Sequence, residues 1–220
     1  MKTLADFLSG MSVGLLCGGE VDEEFLRPAE VLASINMKAI HYPGPLDLAY
    51  ITGAAVAENF LIAGRTDYQY VRYFLGHPNP ATKDMEARLQ AFFGDKHGMG
   101  IAPYIEGWRN NLYPTQWAQK LFETIRTQPL SGLLCLSHLL EHDVREVRVT
   151  GMTFFARDGV VPFARDVHRL GPQREYIRHL AEFDPRVVLD DACKAALNLP
   201  IEDIDWFREG GTMTIQVKRP

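Results

Sequence analysis

Cysteine is scarce in this chain: there are three in 220 residues, at positions 17, 135 and 193, and no Cys-x-x-Cys. An odd number at such wide spacing excludes a disulfide framework and a zinc ribbon. Cys17 and Cys135 stand in apolar surroundings and read as small buried hydrophobes. Long apolar runs are missing as well. The stretch from Met11 to Cys17 is too short to span a bilayer. The opening Met1-Lys2-Thr3-Leu4-Ala5-Asp6-Phe7-Leu8 has one basic residue and an early aspartate, so no signal peptide or lipid anchor is expected and the cytoplasm is the default location. Lysine and arginine form no dense block and the formal net charge is −5, which argues against nucleic acid as a partner. A small anionic ligand needs only a local positive site and stays open.

The common nucleotide fingerprints are absent too. Cys17-Gly18-Gly19-Glu20-Val21-Asp22 is not a G-x-G-x-x-G, and none occurs elsewhere, so NAD and FAD are disfavoured. There is no G-x-x-x-x-G-K-[ST] and no H-E-x-x-H, which disfavours a P-loop hydrolase and a zincin. No cofactor and no metal ligand set is expected.

What is present is an ordinary globular balance, 46% apolar and 23% charged, laid out as alternating strands and helices. Short apolar runs predict buried parallel strands at Ser12–Cys17, Val31–Asn36 and Leu46–Ile51, and a further strand at Tyr68–Phe74. Apolar spacing predicts helices at Ala54–Ala63, Lys83–Phe93 and Trp117–Arg126. The segment from Gly94 to Pro114, with little periodicity, reads as a lid-like insertion. Downstream come a strand at Arg145–Gly151, a helix at Pro172–Phe183 with Pro172 in its first position, a strand at Arg186–Leu189 and a helix at Asp191–Leu197. Ile201–Phe207 is a short amphipathic stretch, and Met213–Val217 reads as an edge strand. The expected architecture is one α/β domain over 1–220, a Rossmann-like three-layer α/β/α fold with a mostly parallel sheet. Ligands of such sheets sit at the C-terminal ends of the strands. Gly18-Gly19, Asn36, Asp47, Gly132 and Gly151 are expected at those ends or at a following helix start.

The most informative stretch is Pro129-Leu130-Ser131-Gly132 and the apolar helix behind it, Leu133-Leu134-Cys135-Leu136-Ser137-His138-Leu139-Leu140. Pro129 stops the preceding element, Ser131 reads as the N-cap, and Gly132 permits close approach to the backbone. A buried helix start of this kind offers N–H groups and a positive dipole end to a phosphate. It also reads as a buried helix with an ordinary cap.

Three motifs together resemble the sialyltransferase-type glycosyltransferases. The first is Val13-Gly14-Leu15-Leu16-Cys17-Gly18-Gly19 with Val31-Leu32-Ala33-Ser34-Ile35-Asn36, continued by Leu46-Asp47-Leu48. The second is Pro129-Leu130-Ser131-Gly132 with its helix and the Val147–Gly151 strand. The third is His168 followed by Glu175. The resemblance implies a Rossmann-like fold and a metal-independent, nucleotide-monophosphate donor of the CMP type, with a glycan or small-molecule acceptor. It implies His168 as general base, with Ser131, Gly132, Asn36, Gly18, Gly19 and Gly151 around the nucleotide. Ser34 stands where the family has arginine, and more than the family's four residues separate His168 from Glu175.

An imidazole titrates near neutrality and suits a base, yet His168 reads equally as a surface histidine. Asn36 either binds phosphate or ribose or caps a turn. Asp47, Trp108 and Arg109 are candidates for the substrate side; Asp47 also reads as a structural carboxylate, and Trp108, Arg109 and Tyr113 as loop anchors. His138 on its apolar helix face reads as a satisfied core histidine. Three functions remain open: a glycosyltransferase, a nucleotide-binding module without catalysis, and another α/β enzyme acting on a phosphorylated small molecule.

Overall fold

The computed structural model describes residues 3–51, 73–76, 121, 123–126, 129–154, 159–161, 170–198, 204–209 and 212–217. The helices expected at 54–63 and 83–93, the insertion at 94–114, and Trp108, Arg109, Tyr113 and His168 lie outside the described residues.

A six-stranded parallel sheet forms the centre, in the order β4 (Tyr73–Gly76), β3 (Leu48–Ile51), β2 (Val31–Ile35), β1 (Ser12–Leu16), β5 (Glu146–Thr150), β7 (Val187–Leu189). Helices flank it, giving a three-layer α/β fold. They are α1 (Leu4–Leu8), α2 (Glu23–Leu26), α3 (Asn36–His41), α4 (Ser131–Leu140), α5 (Leu170–Phe183) and α6 (Asp191–Asn198). A three-stranded antiparallel sheet is built from β6 (Gly159–Val161), β9 (Thr212–Val217) and β8 (Ile204–Glu209), in that order.

The apolar runs behave as their composition dictates. Every residue of β1 is buried, as a strand covered on both faces requires. Leu15, Leu48, Val147 and Val149 carry the sheet's side of the core, and Leu133, Leu136 and Leu139 of α4 are wholly buried against it, with α4 packing on β5 and β2. At about 1.5–3 kcal/mol per fully buried side chain, this apolar stripe is what holds α4 to the sheet. The strands' N-terminal ends are tied by polar contacts. Ser12 Oγ donates to Glu146 (2.6 Å), Ser12 N–H to Glu30 (2.9 Å), and Leu32 N–H to Asp47 (3.0 Å).

Several expectations need correction. Pro172 is the third residue of α5, not the first; it still lies within the first turn, where no intrahelical acceptor waits for an N–H. Met213–Val217 belongs to β9, which is the middle strand of the antiparallel sheet and not an edge. Residues 159–161, for which the sequence pattern predicts no element, form its neighbour β6. Alternating apolar and polar residues mark a strand but say nothing of its place in the sheet.

Candidate functional site at the strand switch point

Chain order reverses beside β1: successive strands β2, β3 and β4 lie on one side, and β5 and β7 on the other. In an open parallel sheet this reversal leaves a crevice beyond the strand C-termini, because the connections leave in opposite directions. The residues that follow β1, β2 and β5 therefore meet there.

After β1 the chain runs alongside the end of β5. Cys17 N–H donates to Thr150 O (2.9 Å), Gly19 N–H to Gly151 O (2.8 Å) and Asp22 N–H to the Thr150 hydroxyl (3.0 Å). The two glycines approach backbone to backbone. A Cβ on Gly19 would stand 2.8 Å from Gly151 O, and Gly151 itself has φ +71°, in the left-handed region. Gly18 differs: it is exposed, and a Cβ there would meet nothing within 4 Å. Gly19 and Gly151 thus build the turn, and Gly18 lies open on its outside.

After β2 the chain enters α3 at Asn36, whose φ of 45° is unusual for a residue with a side chain. Its Nδ2 donates to Ser131 Oγ (2.9 Å), joining positions 95 apart in sequence. Ser131 is the first residue of α4 and not its N-cap; Leu130 takes that place, with no side chain capping the helix. Leu134 N–H to Leu130 O is the first bond of the helix (2.9 Å), so the N–H groups of Gly132 and Leu133 precede the ladder. Gly132 serves packing. A Cβ there would sit 2.9 Å from Cys17 Sγ and 3.1 Å from Met152 Cε, so helix and sheet meet closely because position 132 has no side chain.

Asp47 is placed elsewhere. It precedes β3 and accepts from Leu32 N–H, at the N-terminal ends of the strands and away from the crevice, which corrects the expectation that it sits at a strand C-terminus. Ser34, two residues before Asn36, is fully buried, and its hydroxyl donates to Leu16 O (3.4 Å). Glu175 is exposed and pairs with Arg178 on the solvent side of α5. His138 is a half-buried histidine held by its neighbours. Its Nδ1 shares a 2.8 Å hydrogen bond with the Tyr50 hydroxyl, its ring meets that of His142 edge-on, and burial pushes its pKa down to about 3.

Residues that the sequence reading passed over also stand here. Gln173 of α5 is completely buried and accepts from Leu130 N–H (2.8 Å). Leaving four residues after His168, the gap the family resemblance supplies, lands on Gln173 and would have led to it. Asp190, 2% exposed at the end of β7, accepts from Cys193 N–H (2.6 Å) and starts α6. Burial raises the Cys17 thiol pKa, Asp190 raises it further, and the Lys38 ammonium on α3 acts the other way. A buried carboxylate and a half-buried cation therefore lie near the end of β1.

Two short motifs in the sequence bear on the chemistry. Gly10-Met11-Ser12-Val13-Gly14 has the G-x-S-x-G spacing of a hydrolase nucleophile turn. That chemistry needs a serine exposed between a strand and a helix, whereas Ser12 opens β1, buried and donating to Glu146. The sequence holds an Asp-x-Asp, Asp203-Ile204-Asp205, a pair that runs against the metal-independence the resemblance implies. Asp205 is in β8 and Asp203 lies outside the described residues. Among the described residues no group of three or more His, Cys, Asp or Glu is placed to hold a metal ion, and no helix is long and apolar enough to cross a membrane.

No protein-family model matches the chain, and no curated protein matches it. Among solved structures, the chain is similar to the sialyltransferase CstII from Campylobacter jejuni, solved in complex with the substrate analogue CMP-3FNeuAc. The identity is 13%, the TM-score 0.48, and the match covers 81% of this chain and 78% of that one.

Proposed function

We propose that this chain is a glycosyltransferase that moves a sugar from a nucleoside-monophosphate donor of the CMP type to an acceptor hydroxyl. The hydrogen bond from Asn36 to Ser131 carries the reading, because it joins the first and second sequence motifs at the C-terminal edge of the sheet. Sugar transfer asks for two things: stabilisation of the departing phosphate and a base for the acceptor proton. The start of α4 supplies the first through its dipole and its leading N–H groups, with Asn36 and the open backbone of Gly18 beside it. His168 is proposed as the base, and Trp108 and Arg109 as acceptor-side residues. Gly132, Gly19 and Gly151 support the nucleotide site by shaping its backbone. Asp47 is left out because it sits at the opposite ends of the strands.

The test is a thermal-shift series against CMP, UMP, GDP, UDP, AMP and NAD, each with and without EDTA. A ligand that binds the folded state raises the melting temperature by mass action. The expected result is a CMP-selective rise insensitive to EDTA, followed by saturable sugar transfer from a CMP-linked sialic-acid-like donor. His168→Ala is expected to abolish transfer and keep CMP binding. Binding by the wild type without turnover would instead assign a nucleotide-binding module. An EDTA-sensitive rise would bring Asp203 and Asp205 into the site. No shift with any nucleotide, where a control binder shifts, would return the start of α4 to an ordinary helix start.

A further inference from the structure

Charges of both signs act on the end of β1. The Cys17 thiol is buried there; Asp190 raises its pKa and the Lys38 ammonium opposes that. The two charges differ in what already holds them. Asp190 closes β7, and its carboxylate accepts from Cys193 N–H at 2.6 Å, so it is engaged in starting α6. Lys38 stands in α3, two residues after Asn36, and is half-buried. Among the described residues no carboxylate pairs with it. Asp190 is out of reach, since β7 and β2 are three strands apart, roughly 14 Å. Glu23 of α2 is taken by the hydroxyl of Tyr42, the C-cap of α3 (3.0 Å).

The strand register sets the level of this lysine. Leu16 pairs with Ser34, which puts Gly18 level with Asn36 and Lys38 in the turn just past the C-terminal edge of the sheet. A charge drawn partly out of water is costly unless an opposite charge meets it. We propose that Lys38 is the cation that meets the phosphate of the donor. An ammonium is a point charge on a flexible stem, so it recognises the charge of a phosphate rather than a planar shape, and Gly18 leaves open space on the same edge. The ligand it takes is a phosphate ester of the kind a nucleoside monophosphate carries. This inference rests on the proposed nucleotide reading, which supplies the identity of the ligand.

Lys38→Met keeps the stem and removes the charge; Lys38→Arg keeps the charge. Calorimetric affinities for CMP and for cytidine separate the phosphate from the rest of the ligand. For Lys38→Met the expected result is CMP affinity reduced about tenfold with cytidine affinity unchanged, and for Lys38→Arg a loss of CMP affinity no greater than about threefold. The urea midpoint of Lys38→Met should equal or exceed that of the wild type, because the lost charge had no partner in the fold. Wild-type CMP affinity in Lys38→Met, equal losses of CMP and cytidine, a lowered urea midpoint, or a Lys38→Arg protein no better than Lys38→Met each overturn the inference. If the wild type binds no CMP, the nucleotide reading fails by itself, and inorganic phosphate decides for Lys38. A wild type whose melting temperature rises more in phosphate than in sodium chloride of equal ionic strength, with that rise gone in Lys38→Met, keeps Lys38 as an anion site. The same rise in both proteins, or none in either, overturns it. Should Lys38→Met not fold, Lys38→Gln replaces it in the same comparison.

Discussion

Asn36 Nδ2 donates to Ser131 Oγ across 2.9 Å from a backbone held at φ 45°. Asparagine tolerates that conformation better than most residues with a side chain, and strained backbone persists only where its surroundings enforce it. Asn36→Ala removes the hydrogen bond and leaves a Cβ in the left-handed region. We expect a loss of about 2 kcal/mol in urea unfolding, summed from roughly 1 kcal/mol for each effect. Asn36→Gly relieves the backbone and isolates the lost bond, so it should fall by about 1 kcal/mol. Equal stability of all three proteins would remove the hydrogen bond from the account.

Two glycines at the turn, Gly151 and Gly18, should separate in a single experiment. Gly151→Ala puts a Cβ at φ +71° and about 3.1 Å from the Gly19 backbone, and it is expected to destabilise by ~1–3 kcal/mol. Gly18→Ala meets open space and should leave unfolding within ~0.5 kcal/mol of wild type. Because Gly18 is exposed on the proposed ligand side, its alanine variant should nonetheless weaken CMP binding. A stable Gly18→Ala that binds CMP normally would place the ligand elsewhere.

Acid should weaken the fold before its carboxylates titrate. His138 is neutral in the folded protein down to about pH 3, because burial depresses its pKa, whereas in the unfolded chain it protonates around the ordinary value of 6.5. Between those values the unfolded state binds more protons, so stability rises with pH and is lost as pH falls below 6.5. One such group gives a slope near 1.4 kcal/mol per unit. His142, also depressed by burial, acts in the same direction. The lowered carboxylates Asp184, Glu30 and Glu175 begin to matter only further down. Urea unfolding at pH 7.5 and 5.0 should show the loss, and His138→Gln should flatten the slope by roughly one proton's worth.

Arg186 should resist replacement by lysine. Its guanidinium pairs with both oxygens of Asp184 (3.0 and 2.7 Å) and also donates to Leu140 O and His142 O at the end of α4. A lysine keeps the charge but not the planar fork. We expect Arg186→Lys to lose about 1–2 kcal/mol, measured at neutral pH, with Asp184→Asn giving a comparable loss. An Arg186→Lys protein as stable as wild type would mean that charge alone suffices.

All three thiols should be silent in the native state. Cys17, Cys135 and Cys193 are buried, and desolvation raises each thiol pKa. Reaction with a thiol reagent at pH 8 should wait for denaturant and then release three equivalents. Rapid labelling of one cysteine without denaturant would contradict that burial.

Much of the sheet was legible in the sequence, because strands covered on both faces must be apolar throughout. Val13 to Leu16 and Val31 to Ala33 say so without help from their partners, while β5 alternates, with Val147 and Val149 buried and Arg148 half-buried. The glycines after β1 and β5 were legible as turn residues for the same local reason. Cap assignment at α4 was not legible. Ser131 has the composition of an N-cap, but Gln173 and Asn36, both distant in sequence, decide where the helix starts. Asp47 lies just before β3, at the N-terminal end of that strand, so its place opposite the crevice follows from strand direction and not from residue type. Ser12 and the small sheet show the same limit: a local pattern names a residue's type, while its neighbours across the fold name its task.

The pairing of β1 with β5 joins Leu16 to Thr150, so the crevice has walls that leave the ribosome far apart in time. A nascent chain that has reached Leu130 already holds Gly18, Gly19 and Asn36, but neither Ser131 nor Gly151. Closing so long an intervening loop is slow compared with forming a local helix. The crevice is therefore among the last parts of the molecule to exist, and occupancy of it by a ligand reports that folding is complete.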